Sequence, residues 1–179
     1  MSAAARLPIS TLRNRLGARP VCGAFAAGLV FAMFSLAVSG LTLLLLFLVL
    51  PAHHWGPSAA AGSIGTLSEA ALLFIAVLFI PIVETLIGQA LPMELVRRLG
   101  GGAVAGVIVS AAVFGGGHGL NGGVAHGISS LSAGLVFACS YLFPRPFGIL
   151  PALVAAGTTH ATHNFMLLFV VAKIFPQWA

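Results

Sequence analysis

From Val21 to Leu50 the chain carries no charged residue, and a run of that length limits the fold before anything else is read. A helix rises about 1.5 Å per residue, so about 20 apolar residues cross the hydrocarbon of a bilayer, whereas the core of a signal peptide is only about 7 to 15 residues long. The run therefore predicts a retained membrane helix rather than a cleaved leader. The rest of the chain agrees with it. Of 179 residues, 59% are hydrophobic and 6% charged, with mean hydropathy +1.10, against about 25% charged in an average soluble domain. The expected fold is all-α, a polytopic transmembrane helical bundle of about five to six segments. Residues 1–20 form a basic cytoplasmic N-terminal segment and residues 21–175 a single membrane-embedded domain.

Formal net charge is +5 and there is no Asp, which raises the question of a nucleic-acid surface. The positions of the cations exclude one. Arg6, Arg13, Arg15 and Arg19 precede the first apolar run, Arg97 and Arg98 follow the second, and Arg145 follows the fourth, the pattern of orientation signals beside a bilayer. The N-terminus is thereby placed on the cytoplasmic side. Cys22 and Cys139 have no metal or redox spacing and read as buried packing thiols.

Further boundaries follow from punctuation. The linker from Pro51 to Ser68 lacks Lys and Arg and holds Trp55, an interfacial anchor. Thr66-Leu67-Ser68-Glu69 reads as a capping box on Thr66 that starts a second span, Glu69 to about Leu95. Pro81 removes a backbone donor from that span and predicts a kink just before Glu84. Glu94 is expected to pair with Arg97 and Arg98. A third span runs from Ala103 through His118, with Gly115 and Gly119 spaced for close helix contact. A loop over Gly119–Gly123 leads to a fourth span, about 124–143, and a fifth begins near Phe147 or Gly148.

The fifth apolar stretch is broken by Thr159-His160-Ala161-Thr162-His163-Asn164. On a helix, His160 and Asn164 share a face, with His163 beside them. Hydrocarbon does not tolerate unpaired polar groups, so this face must meet polar partners or a water-filled cavity. Glu84 and His118 are the candidates. Counted from the cytoplasmic ends, Glu84 and His160 lie roughly 20 Å deep and His118 roughly 24 Å, so three helices bring ionisable groups to one depth. A carboxylate with histidine neighbours can activate water: Glu84 as general base, His118 positioning the water, and His160 with Asn164 donating to a developing oxyanion. This is equipment for peptide or amide hydrolysis. His163 is either a cavity-lining residue or a satisfied polar one; His126 has no evident role. Two or three histidines with one Glu also form a zinc ligand set with an open position. If a divalent metal is held, His118, His160 and Glu84 hold it; a tight structural metal is not expected.

Glu84 with Gln89, Phe114-Gly-Gly-Gly-His118 and His160-Ala-Thr-His-Asn164 resemble, in order and spacing, the three motifs of the CAAX prenyl protease and bacteriocin-processing (CPBP, Abi-type) intramembrane proteases. Those motifs are Glu-Glu-x-x-x-Arg, Phe-x-x-x-His and His-x-x-x-Asn. The likeness covers about residues 69–171. It implies an intramembrane, glutamate-dependent endopeptidase with Glu84 and His118 at the water and His160 and Asn164 at the oxyanion. The substrate would be a peptide or membrane protein, reached in the bilayer of a bacterial plasma membrane, with no nucleic acid involved. Two departures stand out: Thr85 occupies the place of the second Glu, and Gln89 that of the Arg. Both become candidates for the cavity lining. The loss of that charged pair leaves open a catalytically silent relative that binds and regulates another membrane protein.

Overall fold

The structure, a computed structural model, describes residues 17–55 and 65–174. The expectations for Arg6, Arg13, Arg15 and the rest of the first sixteen residues lie outside the described residues. Among those described, all regular structure is helical: α1 (Pro20–Val49), a 3₁₀ turn at Ala52–His54, α2 (Glu69–Arg98), α3 (Ala103–Leu142), a 3₁₀ turn at Arg145–Phe147, and α4 (Ile149–Phe165), which runs on through Met166–Val171. Three stretches are long and apolar enough to cross a membrane, Pro20–Val49, Glu69–Arg98 and Ala103–Phe147. The protein is an integral membrane protein. The expected five to six spans are thus met in part, because α4 carries the polar island and α3 holds two apolar runs in one element.

That element is a hairpin. At Gly123 the backbone takes φ 81° and ψ −179°, a region open in practice only to glycine, and the helix turns back on itself. The loop expected over Gly119–Gly123 is reduced to this single break. The arms then meet closely: a Cβ on Gly115 would lie 2.5 Å from Leu131 Cβ, and one on Gly119 would lie 3.4 Å from Gly127 Cα.

α2 begins at Glu69 as expected, but Ser68 caps it, accepting from the Ala71 N–H at 3.3 Å. Thr66 stands two residues too early for that bond. The kink expected at Pro81 takes another form. α2 contains two π-helical turns, Leu73–Phe79 and Thr85–Ala90, on either side of a short α-helical stretch, Ile80–Glu84. In the first π turn each carbonyl accepts from the N–H five residues on, as Ile75 does from Ile80. Ala76 would accept from Pro81, which has no N–H. Its carbonyl is instead taken by Asn164 Nδ2 of α4 at 2.9 Å. A side chain also bonds the backbone of the second π turn: Ser110 Oγ of α3 donates to the Gly88 carbonyl at 2.8 Å, four residues before Pro92, which offers no N–H.

Packing follows membrane logic, with small residues between helices and large apolar ones outside. Ala24, Ala32, Ser35, Ala138, Ala152, Ala155 and Ala156 are fully buried, while Phe47, Leu48 and Val49 point outward. Cys22 and Cys139 are exposed rather than buried, since the bundle's exterior faces hydrocarbon and accepts a thiol as readily as its core does. α1 lies against α4. A Cβ on Gly28 would sit 2.7 Å from the Ala155 carbonyl, Thr159 Oγ1 donates to the Gly28 carbonyl at 3.1 Å, and Ser35 Oγ shares a hydrogen bond with His163 Nδ1 at 2.9 Å.

At the basic end, Glu94 accepts from Arg97 at 2.7 Å, from Arg145 at 2.5 Å and from the Tyr141 hydroxyl at 3.0 Å. Arg145, distant in sequence, takes the place expected for Arg98 and fastens the end of α2 to the end of α3. At the opposite end Lys173 meets Glu69 at 3.2 Å.

Candidate active site

Glu84 closes the short α-helical stretch between the two π turns, and its carboxylate stands between two histidines. Oε1 is 4.0 Å from His118 Nε2 of α3, and Oε2 is 3.4 Å from His160 Nε2 of α4. Three groups distant in sequence meet, as the depth count required. Glu84 remains about a third exposed, whereas His160 is nearly enclosed. The opening is a cavity of about 390 Å³ walled by Glu84, Gly88, Phe114, Gly117, His118, Asn121 and His126, among others.

Each histidine is fixed differently. His118 Nδ1–H donates to the Phe114 carbonyl one turn earlier at 2.9 Å, so Nε2 presents its lone pair toward Glu84 and the cavity. His160 has no such tie, and its buried Nδ1 lacks a hydrogen-bond partner. Aromatic packing holds the ring instead. Phe137 stacks on it with centroids 4.6 Å apart, and Phe114 meets it edge-on at 5.3 Å.

The other candidates lie elsewhere. Asn164 is turned to the α2 backbone through its bond to Ala76. Thr85, Gln89 and His163, expected at the cavity, are not part of its wall. His163 is buried, edge-on to Phe137 and bound to Ser35. Thr85 lines a separate, apolar crevice between α2 and α4 together with Ile82, Leu86, Leu153, Val154, Gly157 and Thr158. Gln89 is fully buried, and neither its amide atoms nor Thr85 Oγ1 has a hydrogen-bond partner. The positions that depart from the motif therefore face the protein interior. Sequence reasoning missed His126, whose ring lies 5.2 Å from that of His118 on the cavity wall. No motif marks it, and only the reversal at Gly123 brings it back onto His118.

Among the described residues no group of three or more His, Cys, Asp or Glu side chains is gathered closely enough to hold an ion.

The family model described as Type II CAAX prenyl endopeptidase Rce1-like matches residues 66–166, more than half of the chain and all four motif positions. The chain belongs to the Rce1-like family. No curated protein matches it, and no solved structure does. The Rce1-like match begins two residues before the cap of α2 and ends just past Asn164, so it takes in every side chain around Glu84. It leaves α1 outside. The Rce1-like family is one of membrane proteases, and a peptide or protein substrate follows at that level.

Proposed function

We propose that this Rce1-like protein is an intramembrane endopeptidase that hydrolyses peptide bonds with water activated by Glu84. The observation that carries the reading is the carboxylate held between two imidazole Nε2 atoms from separate helices, 4.0 and 3.4 Å away, at the wall of a cavity. An ionisable group at the centre of a span is costly to bury and is kept where it works.

In the proposed reaction, water enters the cavity beside Glu84 and His118. His118 Nε2, its tautomer set by the Phe114 carbonyl, accepts one hydrogen bond from the water and orients it. Glu84 takes a proton as the water oxygen bonds to the substrate carbonyl carbon. His160 Nε2–H donates to the oxyanion that forms. When the C–N bond breaks, Glu84 returns the proton to the leaving amine, giving a free acid and a free amine. No step passes through a metal.

We further take each arm of α3 and the whole of α4 to cross the bilayer, which makes five crossings with the N-terminus cytoplasmic. The junction of Arg145 with Glu94 and Arg97 supports a single basic face.

Cleavage of a membrane-peptide library, read by mass spectrometry for wild type, Glu84→Gln and His160→Ala in liposomes, tests the reading. Turnover by wild type that falls by about 10²- to 10⁴-fold in Glu84→Gln, with folding retained, is expected. Unchanged turnover in Glu84→Gln would sink the general-base role. Absence of any cleavage by wild type would favour a silent, regulatory member of the family.

A further inference from the structure

α2 departs from α-helical register on both sides of Glu84, and on both sides a side chain from another helix donates to a carbonyl of the departing turn. Above Glu84, Pro81 leaves the Ala76 carbonyl without its helical donor, and Asn164 Nδ2 supplies one at 2.9 Å. Below it, Pro92 offers no N–H to the Gly88 carbonyl four residues earlier, and Ser110 Oγ donates to that carbonyl at 2.8 Å. Ser110 is fully buried and Asn164 partly so. A carbonyl with no partner in hydrocarbon is costly, so these bonds choose where each π turn sits. Inserting or losing one π turn rotates the following residues by roughly a quarter of a turn about the helix axis. Glu84 would then leave its place between His118 and His160.

We infer that Asn164 is a positioning residue, acting through the Ala76 carbonyl and the first π turn to aim Glu84, with Ser110 as its counterpart on the second turn. This differs from a role at the oxyanion. Asn164 Nδ2 donates to the Ala76 carbonyl in the backbone of α2. The consequence for turnover rests on the role proposed for Glu84; the pairing of Pro81 with Asn164 through one carbonyl does not.

The inference makes Pro81 and Asn164 interdependent, and a double-mutant cycle reads that directly. Wild type, Asn164→Leu, Pro81→Ala and the double variant are compared by thermal unfolding in detergent and by peptide cleavage. Asn164→Leu alone leaves the carbonyl bare and is expected to lower both the folded-to-unfolded ratio and kcat by about 10- to 100-fold. Pro81→Ala restores a backbone N–H, so the same Asn164 substitution on that background should cost less than a third of that factor in stability, with kcat recovering alongside. Failure of Asn164→Leu to fold while the double variant folds supports the inference equally. Equal losses on both backgrounds, failure of both to fold, or a loss of kcat with stability intact and no rescue by Pro81→Ala would overturn the inference. If wild type shows no cleavage, the proposed function fails, yet the stability cycle still decides whether Asn164 pins the turn. Ser110→Ala with and without Pro92→Ala repeats the test below Glu84.

Discussion

At the residue scale, the two histidines beside Glu84 illustrate two ways to fix an imidazole. His118 is held by a hydrogen bond from Nδ1 to the backbone, and His160 by aromatic surfaces and its contact with Glu84. Phe137 is buried and touches His160, His163 and Phe114 at once, so it sets the pitch of the His160 ring. Replacing it with Leu removes the flat surface while keeping an apolar side chain of similar reach. We expect kcat to fall about 10-fold or more with KM little changed, since small misplacements of catalytic groups cost up to about 10²-fold. Steady-state kinetics on a cleaved peptide checks this, and Phe137→Tyr, which keeps the ring face, should retain more of the rate. Ser35→Ala should lower stability by only about 1 kcal/mol in thermal unfolding, the usual net worth of one hydrogen bond.

At the element scale, the hairpin of α3 depends on glycine at two kinds of position. Gly123→Ala places a side chain at φ 81° and ψ −179° and should cost about 1 to 3 kcal/mol. Gly115→Leu acts differently, by wedging the arms apart where Leu131 and Gly127 already touch. Circular dichroism should show its helix content retained, and unfolding its stability reduced by at least about 1 to 3 kcal/mol. How far these elements were legible in sequence depends on what each required. Glu84, His118 and His160 stood out because ionisable groups are rare in apolar spans, and a count of helical rise was enough to place them at one depth. Pro81 announced a disturbance but not its kind, because the π turn is decided by Asn164, a side chain on a helix far along the chain. His126 was invisible for a similar reason: its neighbour His118 is fixed only by the fold-back at Gly123. Exposed Cys22 and Cys139 show the limit of reading apolar surroundings as burial when the solvent is itself apolar.

At the scale of the whole molecule, polar bonds fasten both ends and the middle of an otherwise apolar bundle. Glu94 is the densest of these, with three side chains from three elements on one carboxylate. Glu94→Gln keeps the shape but removes the charge that Arg97 and Arg145 meet, and should cost about 1.5 to 3 kcal/mol by thermal unfolding. The much more exposed Lys173 and Glu69 pair should contribute less than about 1 kcal/mol. The packing of α1 against α4, through Gly28, Thr159, Ser35 and His163, bears on the order of assembly as well as on strength. Of the described helices these are the first and the last to leave the ribosome. Until α4 packs, Ser35 and the Gly28 carbonyl of α1 lack His163 and Thr159, and Glu84 and His118 lack their third partner. Only when α4 packs does His160 reach the carboxylate and Asn164 reach Ala76, so the group around Glu84 is complete only once all the described helices are together.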